Sequence, residues 1–159
     1  MSANDEQAAD VEPPSTIGSE RASLALAERV MAIGHVSPAI PVAVIGHHTL
    51  ALVLALMRRG CGSVRSLRPG APAPDCEPAG LVWIVDAANE RELDDALRAA
   101  RWRAGGRGRI VIEAAALRCL GAVASLRAHA LAADLDIVSS DHTARRLVLA
   151  ARPRLAMAA

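Results

Sequence analysis

Lysine, phenylalanine and tyrosine are absent from this 159-residue chain, whose aromatic content is two tryptophans. All 18 basic residues are therefore arginine, which fits GC-rich bacterial codon usage better than selection for a binding surface. Against 17 acids they leave a formal charge of +1, so the balance implies no phosphate-binding stripe and no clear nucleic-acid signal. Cysteine is scarce, odd in number and without a CxxC pair: Cys61, Cys76 and Cys119 exclude a disulfide framework and a zinc site. They read as plain thiols, Cys61 and Cys119 as small core hydrophobes. No apolar run reaches the roughly 18 to 20 residues that span a bilayer, since Arg58 and Arg59 close the longest. The opening MSANDEQAADVEPPS has neither a basic nor an apolar signal region, so a cytoplasmic chain without a membrane partner is expected.

What is present is apolar: 52% of the residues, enough for one well-filled domain. The acidic residues 1–16, with Pro13 and Pro14, bury too little to offset chain entropy and are expected to form a disordered tail, leaving 17–157 as the domain. Leu24, Ala27, Val30 and Met31 fall at helical intervals over about 18–33, with Gly34 placed to end the run. The organising stretch is Pro41 to Gly60, PVAVIGHHTLALVLALMRRG, in which a doubly buried strand at Val42 to Ile45 turns at Gly46 into a helix.

A short strand is expected at about 63–67, a loop over RPGAPAPDCEPAG, and a third parallel strand at Leu81 to Val85 ending in Asp86. Asn89 followed by Glu92 is a capping-box-like start for a helix, Arg109 to Glu113 reads as a fourth strand and Ala116 to Ala132 as another helix. The last segment reads as two strands around a turn at Ser139 to Thr143, with His142 in the turn. Alternating strands and helices give a mostly parallel sheet with helices on both faces and a terminal antiparallel pair. Such sheets bind ligands at the carboxyl ends of their strands, here Gly46 to Thr49, Arg65 to Arg68, Asp86 to Asn89 and Glu113 to Ala115.

Four stretches in this order resemble the class I S-adenosylmethionine-dependent methyltransferase domain over roughly residues 18–155: VAVIG, LVWIVD, ALRAARWRAGGRGRIVIEA and RRLVLAARP. The Gly-Gly-Arg turn is the most specific of them. The resemblance implies a three-layer, Rossmann-like α/β fold, S-adenosylmethionine as cofactor, and cofactor contacts from Gly46, His47, His48, Ser66 and Asp86, with Asp86 also the catalytic candidate that would orient a methyl acceptor.

The departures from the family are chemical. Its first turn is Gly-x-Gly-x-Gly, whereas His47, His48, Thr49 and Leu50 follow Gly46 here, and His48 is expected to project over Gly46 into the cofactor's space. Its second strand ends in an acid that accepts from the ribose hydroxyls, whereas Arg65, Ser66 and Arg68 are donors at neutral pH or short hydroxyls. A third strand with its helix is missing, since only the proline-rich loop follows the second strand. Asp86-Ala-Ala-Asn89 replaces Asn/Asp-Pro-Pro-aromatic, so methylation of a base or amide nitrogen is not expected.

Simpler roles stand beside these. Asp86 also suits a turn or cap. Arg65 and Arg68 sit where NADP-type domains hold a 2′-phosphate. His47 and His48, about 100° apart on a helix, do not chelate one metal well. Trp83 belongs to a buried strand, while Trp102 between Arg101 and Arg103 either marks a contact surface or closes its helix over the sheet. Two main functions follow: a degenerate, non-catalytic methyltransferase-like binding or regulatory module, and a minimal S-adenosylmethionine-dependent methyltransferase acting on a small molecule or protein. An NAD(P)-binding regulatory domain is a third. The partner is a protein or small molecule, and an uncovered strand edge suits a homodimer.

Overall fold

The computed structural model describes residues 16–71, 77–113, 123–141 and 146–152. The elements are α1 (Thr16–Gly34), β1 (Val42–Ile45), α2 (Leu50–Arg58), β2 (Val64–Leu67), β3 (Leu81–Ile84), α3 (Glu90–Ala104), β4 (Arg109–Glu113), α4 (Val123–Ala132), β5 (Leu135–Asp141) and β6 (Arg146–Ala151). The six strands form one sheet in the order β2-β1-β3-β4-β6-β5. β2, β1, β3 and β4 are mutually parallel, and β6 is antiparallel to both of its neighbours. The expected α/β architecture with a C-terminal antiparallel pair is therefore present. The expected tail, the turn holding His142, Cys76, Cys119 and the first part of the helix expected from Ala116 lie outside the described residues.

Each face of the sheet has its own core. Val42, Val44, Leu81, Trp83 and Val111 point toward α1 and α2, where Ala27, Val30, Leu52 and Leu56 are buried. Ala43, Ile45, Val82, Ile84, Ile110 and Ile112 point toward α3 and α4, against Leu93, Leu97 and Leu126. The alternation follows from the two-residue period of a strand, and burial on both sides explains why VAVI and LVWI are apolar throughout. Cys61 is buried, with its Sγ 3.6 Å from Met31 Sδ, as a small core residue.

α1 ends differently from expectation. The left-handed residue after the helix is His35 (φ 51°), not Gly34. Glycine is required at 34 by close approach, because a Cβ there would stand 2.8 Å from Leu81 Cδ1. Asn89 caps α3 as expected, its Oδ1 accepting the Glu92 N–H at 2.9 Å. Glu92 departs from the capping-box pattern by reaching one residue further back, to the Ala88 N–H at 2.8 Å. Thirteen residues, 68–80, carry the chain from β2 to β3, and β2 is an edge strand with β1 as its one partner among the described residues.

Candidate functional site

The chain runs from β1 outward to β2 and then returns past β1 to β3, so the sheet's topological switch point lies between β1 and β3. Ligands of open α/β sheets bind in the crevice beyond the carboxyl ends of the strands at such a point. The loops that form it here are Gly46 to Thr49 and Val85 to Asn89.

These two loops are fastened to each other. Asp86 Oδ1 accepts the His47 backbone N–H at 2.8 Å, and a Cβ at Gly46 would stand 2.9 Å from that same oxygen. The carboxylate thus lies directly over the glycine. The Gly46 N–H is used by Leu67 C=O at 3.0 Å, and the Val85 N–H by Ile45 C=O at 2.9 Å. A second fastening is made by the imidazole of His47, whose Nε2 lies 2.9 Å from Glu92 Oε2. That hydrogen bond, with the one from Ala88, holds the Glu92 carboxyl below its ordinary range.

The third side of the crevice is β2. Ser66 Oγ lies 2.6 Å from Oγ1 of Thr49, the N-cap residue of α2, and Thr49 is 6% exposed. The hydroxyl expected to touch a ribose is thus shared with a neighbouring loop. At the end of β4, Glu113 Oε1 accepts from both Nε (3.2 Å) and Nη2 (2.7 Å) of Arg146, a pair whose side chains are 17% and 8% exposed.

The structure brings Gly46, His47 and Asp86 into direct contact and sets Ser66 at the same edge, bonded to Thr49. It corrects the expectation for His48. That side chain is exposed and makes no hydrogen bond with the described residues, so it does not fill the floor. Asp86 does, because its short carboxylate is the nearest acceptor for the turn's free amide. Arg65 and Arg68 are exposed. Sequence reasoning placed Thr49 and Glu113 at this edge but missed Glu92, the Thr49–Ser66 hydrogen bond and the pairing of Glu113 with Arg146. Glu92 carried a helix-start signal that masked a second use, and the pairing of Glu113 with Arg146 needs the β4·β6 register, which places them opposite each other.

The fold and its switch-point crevice define a class I methyltransferase-like Rossmann domain. No family model matches the sequence, and no curated protein matches it. Solved structures do match. A ribosomal-protein methylase from Lactobacillus delbrueckii subsp. bulgaricus aligns with a TM-score of 0.62 at 12% identity, over 83% of this chain and 79% of its own. The CcbJ methyltransferase from Streptomyces caelestis aligns with a TM-score of 0.59 at 14% identity over 94% of each chain. A TehB-like SAM-dependent methyltransferase from Corynebacterium glutamicum aligns with a TM-score of 0.59 at 13% identity, over 86% of this chain and 96% of its own. At such identity the likeness is one of fold. Among the described residues no helix is long and apolar enough to cross a membrane.

Proposed function

We propose that the chain is a non-catalytic methyltransferase-like module, a binding or regulatory domain that keeps the fold and has given up the cofactor. One observation carries the reading: the Asp86 carboxylate sits over Gly46 and accepts the His47 N–H. A cofactor seated on this turn needs bare glycine backbone and free amide donors. Here the Gly46 and His47 amides are satisfied internally, by Leu67 C=O and Asp86 Oδ1, and the bare surface of Gly46 is covered by a charged group. Two further pairs of polar groups at this edge are satisfied by one another, Thr49 with Ser66 and His47 with Glu92. The residues present therefore do not fit S-adenosylmethionine, and no methyl-transfer step is derived through it.

The crystal structures of matching methyltransferases include one with S-adenosylmethionine and one with SAH bound, which makes the cofactor the probe to use. Isothermal titration of the full chain with S-adenosylmethionine, S-adenosylhomocysteine and NADP is expected to give no heat of binding. Micromolar affinity for either of the first two would overturn the proposal in favour of a minimal methyltransferase. Affinity for NADP alone would redirect it to a dinucleotide-binding regulator using Arg65 or Arg68.

A further inference from the structure

The outer face of α2 has an apolar surface that its surroundings do not cover. LALVLALMR carries no polar residue before Arg58, and a helix apolar on every side is normally buried on every side. Leu52, Ala55 and Leu56 do face the core. Leu50, Leu54 and Met57 are instead 72%, 45% and 57% exposed, and their steps of four and three residues set them in one row along the helix. Half of the exposed large hydrophobic side chains among the described residues thus sit on this one short helix. Contiguous exposure of that kind marks an interaction surface.

Beside the row lies a groove of about 220 Å³ between α1 and α2, whose apolar lining is Leu24, Ala51, Leu54 and Ala55. Its polar lining is already engaged, since Ser23 Oγ donates to Ser19 C=O at 3.0 Å and Glu20 pairs with Arg58. What the groove offers an incoming group is therefore chiefly apolar contact. Arg59, just past the helix, is held by Glu28 at 2.8 Å. The two arginines that border the row are thus each balanced by an acid of α1.

We propose that α2 is the contact face of a homodimer, packed antiparallel against α2 of a second copy about a two-fold axis near Leu54. An isologous interface meets itself, so one surface must carry both a projection and a recess that match. Here the two lie side by side and share Leu54. With the axis at that residue, the row of one copy enters the groove of the other as ridge into groove, and Leu50 comes opposite Met57 of the partner subunit. A two-fold contact also sets like charge against like. The row has no charge, its bordering arginines are neutralised by α1, and the whole chain carries only +1. A membrane surface is a poorer match, because an interfacial helix needs a cationic polar face and Glu20 and Glu28 cancel this one. The nine residues of α2 span about 14 Å, so the contact is at the small end for protein pairs and the dimer is weak. The axis lies on a helix rather than on a strand edge, and the inference goes beyond the module reading without depending on what the crevice binds.

Sedimentation equilibrium of the full chain is expected to show the weight-average mass rising from 16.5 kDa toward twice that value, with a dissociation constant of roughly micromolar to a few hundred micromolar. Leu54→Glu sets two carboxylates together at the axis and weakens association about a hundredfold or more, as Leu54→Arg does with two guanidiniums. An equimolar mixture of these two variants restores the dimer, which a helix merely damaged by substitution would not do. Position 54 is exposed, so both variants fold, as thermal melts check. Leu131→Glu, at an exposed apolar site of α4, leaves association unchanged. A chain that stays monomeric throughout this range overturns the proposal. So does association that Leu54→Glu leaves intact, or a mixture of the two folded variants that remains monomeric. Binding to phosphatidylcholine–phosphatidylserine vesicles that Leu54→Glu abolishes, in a chain that does not self-associate, assigns the face to a membrane instead. Cofactor calorimetry reads a different surface, so failure here leaves the module reading standing, and the reverse also holds.

Discussion

Asp86 and His47 lie 39 residues apart in sequence, and a 2.8 Å hydrogen bond from the His47 backbone to Asp86 Oδ1 ties together the two loops at the switch point. The bond joins the loop after β1 to the loop after β3, the two walls between which a ligand of this fold would enter. The same carboxylate oxygen accepts the His47 N–H and lies over Gly46, so the two contacts share one group.

A double-mutant cycle tests that double role. Asp86→Ala removes a charge-assisted hydrogen bond and is expected to cost about 1 to 2 kcal/mol, the lower part of the range for such bonds because the residue is part-exposed. Gly46→Ala in the parent forces a Cβ to 2.9 Å from Asp86 Oδ1 and 3.3 Å from Val85 Cβ, for about 1 to 3 kcal/mol of overpacking. In the Asp86→Ala background the first of those clashes is gone. The Gly46→Ala cost is expected to fall there by about 0.5 kcal/mol or more, measured by urea unfolding. Strict additivity would show that the carboxylate does not rest on Gly46.

Removing one member of the Glu113–Arg146 pair should cost far more than removing a surface ion pair. Arg146 is 8% exposed and directs two nitrogens at one carboxylate oxygen, so Glu113→Ala leaves a buried guanidinium unpaired, for about 3 kcal/mol or more. The joint replacement Glu113→Leu with Arg146→Met removes both charges and is expected to be milder than either single change. Equal costs for Glu113→Ala and for an exposed pair such as Arg152–Asp136 would show that water reaches the site.

The elements of this fold were legible because its central strands are buried on both faces and its helices on one, and those two patterns differ in period. VAVI, LVWI and RIVIE declared themselves as strands, and Asn89 with Glu92 declared the start of α3. Contacts between segments were not legible. Nothing local to His47 says that its amide meets Asp86, because register and loop placement are tertiary facts. His48 was judged by the glycine it replaces, and the turn solved the problem another way, by turning an imidazole to solvent and a carboxylate inward. The sequence around Trp102 left open whether it faces out or closes α3 over the sheet, and it is 70% exposed; the concavity that Arg107 and Arg109 line depends on His35 and Pro41, which arrive from a different part of the chain.

Gly108→Ala is expected to be among the most damaging of the glycine substitutions. The added Cβ would meet the backbone oxygens of Ala104 and Ala79 at 2.5 Å, and neither can swing aside: the Ala104 C=O accepts the Gly108 N–H, and the Ala79 N–H is held by Arg103 C=O. The cost should reach or exceed the upper end of the usual overpacking range, about 3 kcal/mol. Gly106→Ala, with nothing within 4 Å of its Cβ, serves as the control and should leave the melting temperature almost unchanged. A mild Gly108→Ala would mean that the turn between α3 and β4 is free to shift, which would also loosen the placement of Arg107 and Arg109.

Acid stability should report the Glu92 fastening directly. The hydrogen bonds from His47 and Ala88 depress the folded-state pKa of Glu92, so as pH falls the unfolded chain takes up this proton before the folded one does. The contribution of Glu92 is therefore whole above its ordinary value of 4.5 and is lost progressively as pH falls below it, through the depressed folded value. In Glu92→Gln no such proton exists. The stability difference between parent and variant is expected to stay constant from neutral pH down to the region of that ordinary value and then to shrink, as read from denaturant midpoints across an acid series. Curves that remain parallel through the whole acid range would show that the carboxylate is solvated rather than bonded, and that the loop after β1 is held by Asp86 alone.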